Sequence, residues 1–114
     1  MVITQKEMFV EKKQNMRDGD GTVTITHYVQ KENLKNARLL AGVTIPPNSS
    51  IGEHDHINET EYYIILKGKG EVNDNGIKKT VKEGDVVVTG DGAKHSIRNI
   101  GNENLELIAF IITY

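Results

Sequence analysis

Turn-forming residues interrupt this chain at intervals of roughly eight to twelve residues, and the runs between them alternate apolar with polar side chains or are apolar throughout. Such punctuation leaves little room for helices, and no stretch sustains a helical period. Asp18-Gly19-Asp20-Gly21 leads into Thr22 to Val29, where Val23, Ile25, His27 and Val29 share one face of a half-buried strand. Ala37 to Pro46 is aliphatic on both faces and stops at Pro46-Pro47, because proline has no donor with which to continue a ladder. Asn75-Gly76 accepts positive φ at both positions and predicts a tight hairpin joining Glu71-Val72 to Ile77–Val81. Glu61 to Lys67, Val86 to Thr89, His95 to Ile100 and Leu105 to Tyr114 read as further strands. The last of these is apolar on both faces, so a central, doubly covered position is expected. Met8-Phe9-Val10 reads as a lead-in strand within residues 1–20, and Lys31 to Asn36 as a polar connector holding at most one helical turn. Nine or ten short strands predict an all-β fold, an antiparallel sandwich or barrel.

At 114 residues the chain is expected to form one domain, 1–114, around one core. Hydrophobic residues make up 37% and are too scattered to supply a membrane helix, so no membrane partner is expected. The N-terminus lacks the apolar core of a secretory signal. With no cysteine, disulfides and thiolate ligands are excluded, and a bound metal must be held by nitrogen and oxygen. These features suit a cytoplasmic protein. The net charge of -2, with both signs interspersed, offers no basic stripe and argues against nucleic acid as a partner.

Three of the four histidines fall in two short segments bordered by strand-like sequence. On a strand, His54 and His56 project to one face and converge on one point. Glu61 opens the next apolar run and brings a carboxylate, and His95 follows a glycine-rich loop. Three imidazoles and one carboxylate suit one divalent transition metal per chain: manganese, iron, nickel, zinc or copper. Four ligands on a six-coordinate ion leave about two positions open, whereas four on tetrahedral zinc close the site. Glu59 shares the strand parity of Glu61 and is a rival for the carboxylate. Tyr63, on the same face, is a candidate proton donor whose simpler role is packing. His27 points with an apolar set, which favours a satisfied core or interface histidine over a pocket role.

The spacing of these residues resembles the two motifs of the cupin superfamily. The first, glycine, five residues, H-x-H, three or four residues, E, six residues, G, is matched by His54-x-His56, Glu61 and Gly68. The second, glycine, five residues, P-x-G, two residues, H, three residues, N, is matched by Gly84, Gly90-x-Gly92, His95 and Asn99. Asn48 stands where the first glycine is usual, and asparagine also tolerates the left-handed region. Gly90 stands where the proline is usual. The resemblance, carried by residues 48–99, implies a double-stranded β-helix, or jelly roll, with a metal held by His54, His56, Glu61 and His95. It also implies a homodimer, which strands apolar on both faces favour independently, since they present more hydrophobic surface than one small barrel covers.

Cupin-like folds host decarboxylases, dioxygenases, isomerases and non-catalytic binding domains, so the fold does not choose a reaction. The sequence is similar to small bacterial cupins described as oxalate-decarboxylase-like. The expectation is a metal-dependent enzyme, of decarboxylase or dioxygenase type, acting on a small anionic oxygenated molecule. The alternatives are a non-catalytic sensor of a sugar or carboxylate and a dimeric scaffold.

Overall fold

A computed structural model describes residues 1–114. Ten strands follow one another: β1 (Phe9–Gln14), β2 (Thr22–His27), β3 (Ala37–Ile45), β4 (Ser50–Asp55), β5 (Glu59–Lys67), β6 (Lys69–Asp74), β7 (Ile77–Lys82), β8 (Val86–Gly90), β9 (Lys94–Asn99) and β10 (Leu105–Thr113). They form two antiparallel sheets, one of six strands in the order β1-β2-β3-β10-β5-β8 and one of four in the order β4-β9-β6-β7. This is a jelly-roll sandwich, and its non-sequential strand neighbours are what bring β4, β5 and β9 together at one end. The only helical pieces are three short 3-10 turns, at Gln5–Glu7, Met16–Asp18 and Lys31–Asn33.

Alternation within each strand builds the core, because successive side chains point to opposite faces. Val23, Ile25, Ala41, Val43, Ile45, Tyr63, Ile65, Leu105, Leu107 and Ala109 face inward from the larger sheet and meet Ile51, Val72, Val81 and Ile97 from the smaller. The Asn75-Gly76 hairpin forms as its residues dictate, with φ of 49° and 97°. Asn48 takes φ 63°, so it does adopt the left-handed turn for which a glycine is usual. Asn99, fully inside, donates to the carbonyls of Ile45 and Glu103 and accepts from the Gly101 amide, tying β9 to two loops.

Two expectations are corrected. Residues 1–20 are more than a lead-in, since β1 pairs with the whole of β2, from Phe9↔His27 to Gln14↔Thr22. Only Phe9 and Val10 of that strand are large and apolar, so the sequence signal is short while the backbone pairing is long. The other correction concerns β10. It lies centrally between β3 and β5, but no element of the chain covers its outer face, and Glu106, Ile108, Phe110 and Ile112 there are only half-buried.

Candidate metal centre and its cavity

The register of β4 on β9 sets the centre. Ile51 pairs with Ile97 and His54 with His95, so three residues of β4 span what two of β9 span, and the extra residue makes a β-bulge at Gly52-Glu53. Without the bulge, Ile51 and His54 would face opposite sides of the sheet. With it both point inward, Ile51 into the core and His54 into the cluster. Gly52 is the residue that permits this: a Cβ there would lie 1.9 Å from the Arg17 carbonyl oxygen. His56 follows the end of β4 and is fixed by its own backbone, its amide donating to the Ala93 carbonyl and its carbonyl accepting from the Gly92 amide. β5 contributes Glu61 and β9 contributes His95.

His54, His56, Glu61 and His95 thus form a cluster able to hold a metal ion, with one ligand atom from each lying within 4.8 Å of the others. Nε2 of His95 lies 3.0 Å from Nε2 of His56 and 2.9 Å from Nε2 of His54. Glu61 Oε1 is 2.9 Å from Nε2 of both His56 and His95 and 3.8 Å from that of His54. The outer nitrogens are each spoken for. His54 Nδ1 donates to the Gly52 carbonyl at 2.8 Å, and His56 Nδ1 to Glu59 at 2.5 Å. His95 Nδ1 bonds the Thr89 hydroxyl at 2.8 Å. A carbonyl and a carboxylate only accept, so His54 and His56 carry a proton on Nδ1, which leaves Nε2 of each able to turn a lone pair inward. The buried Glu61 Oε1 has no hydrogen-bond donor. Acceptors facing one another in a buried space repel unless a cation lies between them, so the donor set fits a metal ion.

The surrounding charges follow. Burial pushes the Glu61 carboxyl up, but hydrogen bonds from the three imidazoles, made wherever a ring carries its proton inward in place of an ion, outweigh it and hold the group below the ordinary carboxylate range. Glu59 is lowered to about 2, first by its hydrogen bond with Arg38 and then by His56. Arg38 meets it through two parallel contacts, of 2.7 and 2.8 Å. Glu59 is therefore not in the cluster but directly behind it. Burial lowers His95. In His56 burial acts the same way, but Glu61 and Glu59 outweigh it and raise the ring.

The cluster opens onto a cavity of about 680 Å³. Tyr63 lines it, buried, its ring stacked on His95 at 4.8 Å and 16°. Burial, with Glu61 close by, raises the Tyr63 hydroxyl well above its ordinary value and keeps it protonated. His27 also lines the cavity, half-buried and bonded to Glu11 at 2.7 Å, so it is a satisfied histidine on a pocket wall rather than in the core. Phe9, Glu11, Lys13, Met16 and Arg17 line the same cavity and were not anticipated as site residues. The alternation of Phe9, Glu11 and Lys13 along one face was the available signal, obscured because only one of the three is apolar.

A jelly roll with this cluster at its open end defines a class, and the comparisons agree: the cupin domain model matches residues 42–111, and the chain belongs to that family. It is 46% identical over 113 residues to the oxalate-binding protein of Thermotoga maritima, a match spanning 98% of this chain and 93% of the relative. The crystal structure of a predicted oxalate decarboxylase from Thermotoga maritima superposes with a TM-score of 0.94 at 44% identity and covers all of both chains. The cupin domain of Schizosaccharomyces pombe Cnp3 shares the fold, with a TM-score of 0.75 at 21% identity over 91% of this chain and 69% of that one. No helix is long and apolar enough to cross a membrane.

Proposed function

We propose that the chain holds one divalent transition metal through His54, His56, Glu61 and His95 and binds a small carboxylate at that ion. The observation that carries this reading is the set of inward lone pairs converging on the donorless Glu61 Oε1. Four ligand-atom separations of 2.9 to 3.0 Å and one of 3.8 Å, between His54 Nε2 and Glu61 Oε1, are unequal, as the corners of an octahedron are and those of a tetrahedron are not, and favour six-coordination. Adjacent corners of an octahedron with bonds of about 2.1 Å lie roughly 3.0 Å apart, whereas those of a tetrahedron lie about 3.4 Å apart. The ion, when bound, supplies Lewis-acid polarisation of an anionic oxygen. The name of the oxalate-binding relative supports a carboxylate ligand.

A second reading, turnover of that acid in a decarboxylation, is favoured by one observation. Tyr63 is a buried, protonated hydroxyl beside the cluster, placed to hold a proton near a bound carboxylate. The manganese, iron, nickel and zinc alternatives all remain compatible with the donor set. We further propose that the protein is a homodimer joined through the uncovered face of the larger sheet.

Metal analysis by plasma mass spectrometry tests the first reading. About one transition-metal ion per chain is expected, lost in His54→Ala and Glu61→Gln while both variants stay folded, with oxalate binding by calorimetry present only in metal-loaded protein. Full occupancy in both variants would place the metal elsewhere. Loss of oxalate breakdown in Tyr63→Phe with oxalate affinity retained would establish the second reading, and absence of turnover in the unaltered protein would remove it.

A further inference from the structure

The cavity is much larger than the ligand its metal end would need. Oxalate fills about the space of three waters, roughly 90 Å³, against about 680 Å³ here. The remaining space has a definite direction and lining, set by the cross-strand rows on the inner face of the larger sheet. Tyr63 pairs with Ala109, Ala109 with Ala41, Ala41 with His27, and His27 with Phe9. The neighbouring row towards the core runs Ile65, Leu107, Val43, Ile25 and Glu11. Where that row carries branched aliphatics, the row leaving the metal end carries two alanines, and the cavity runs along it as a channel lined by Ala109, with Ala41 buried beneath. Three strand-to-strand steps of about 4.8 Å make it roughly 14 Å from Tyr63 to His27. Its walls include Ile25, Leu39, Ile51 and Ile111, and Glu11, Lys13, Arg17 and Arg38 also reach the cavity. It ends on an aromatic surface, where His27 stacks on Phe9 at 5.5 Å and 20°, and Phe9 is half exposed.

We infer that the ligand of this site is a 2-hydroxy or 2-oxo acid bearing an aryl-sized apolar substituent. Its oxygenated head lies at the His54–His56–Glu61–His95 end, and its body occupies the channel over Ala109 towards Phe9 and His27. The inference rests on the carboxylate-at-metal reading and adds the substituent. The apolar part of the wall and its aromatic end gain by excluding water from a ring, and a two-carbon dicarboxylate would not reach them.

Calorimetry on protein loaded with manganese, using oxalate, lactate and phenyllactate as probes, separates the two readings. Lactate and phenyllactate share one head and differ by the ring, so the expected result is about 10- to 100-fold tighter binding of phenyllactate. Leu39→Trp, on the half-buried channel wall, and separately Ala109→Val, on its floor, are expected to erase that advantage while lactate affinity is retained, which also shows that each variant is folded. If oxalate and lactate bind and the ring adds nothing, or if both variants weaken lactate and phenyllactate by the same factor, the channel assignment is overturned while the carboxylate reading stands. If none of the three binds, both fall.

Discussion

Glu59 touches no other member of the cluster than His56, yet its position decides how that ring presents itself. Its carboxylate accepts from His56 Nδ1 and is itself clamped by Arg38, so the His56 tautomer is fixed from outside the cluster. Partners of this kind typically account for 10- to 100-fold in metal affinity. Glu59→Gln is therefore expected to weaken metal binding by about that factor, read by competition with a chromophoric chelator, while the metal-free variant melts within a few degrees of the parent. Unchanged affinity would show that His56 is held adequately by its backbone alone. The same residue marks where reading the sequence stops. Strand parity places Glu59 and Glu61 on one face, which the structure bears out, but parity carries no information about depth. Spacing to Gly68 favours Glu61, and the structure puts that side chain among the three imidazoles with Glu59 beyond His56.

At the level of the strand, β4 contains a feature that alternation could not reveal. A period of two carried unbroken from Ile51 would send His54 to solvent, and the bulge at Gly52-Glu53 reverses that. Glycine in a strand-like run signals either a bend or a close approach, and here it serves both, with the Arg17 carbonyl against its α-carbon and its own carbonyl accepting from His54. Gly52→Ala forces a carbon against backbone that cannot rotate away. A cost of about 2 kcal/mol is expected, seen as a fall in Tm of roughly 10 °C for a domain of this size, together with weaker metal binding because His54 loses its anchor. Gly76→Ala, whose Cβ would meet nothing within 4 Å but whose φ of 97° strains any side chain, is the control: it should cost stability and leave metal binding intact. β1 was legible only at Met8-Phe9-Val10, for the opposite reason. Its inner face carries Phe9, Glu11 and Lys13, a polar cavity wall, and the apolar alternation that reveals β2 is absent from it.

Over the whole molecule, the apolar residues that make β3, β5 and β10 hydrophobic on both faces find partners on only one. Tyr62, Ile64 and Leu66 of β5 align with Val86 and Val88 of β8, through the pairs Tyr62↔Val88 and Ile64↔Val86. Phe110 of β10 adds to them, stacked on Tyr62 at 6.3 Å. Ile64 is 39% exposed and Val88 56%, and they lie beside one another on a sheet that ends at β8 with an unpaired edge. Monomers rarely expose so continuous an apolar face, and each such side chain gains about 1.5–3 kcal/mol on burial. The proposed second copy would cover both the face and the edge, because a two-fold contact buries the same patch on each chain. Light scattering of the unaltered protein at micromolar concentration is expected to give twice the chain mass of 12.7 kDa. Ile64→Glu combined with Val88→Glu should give the monomer mass, since two charges per chain would have to be desolvated in the contact. Both changes point away from the cavity, so metal content should stay near one per chain. A monomer before any substitution would mean that the face is covered by something other than a second copy, and a dimer unaffected by the two glutamates would move the interface to the edge of β7 or β1.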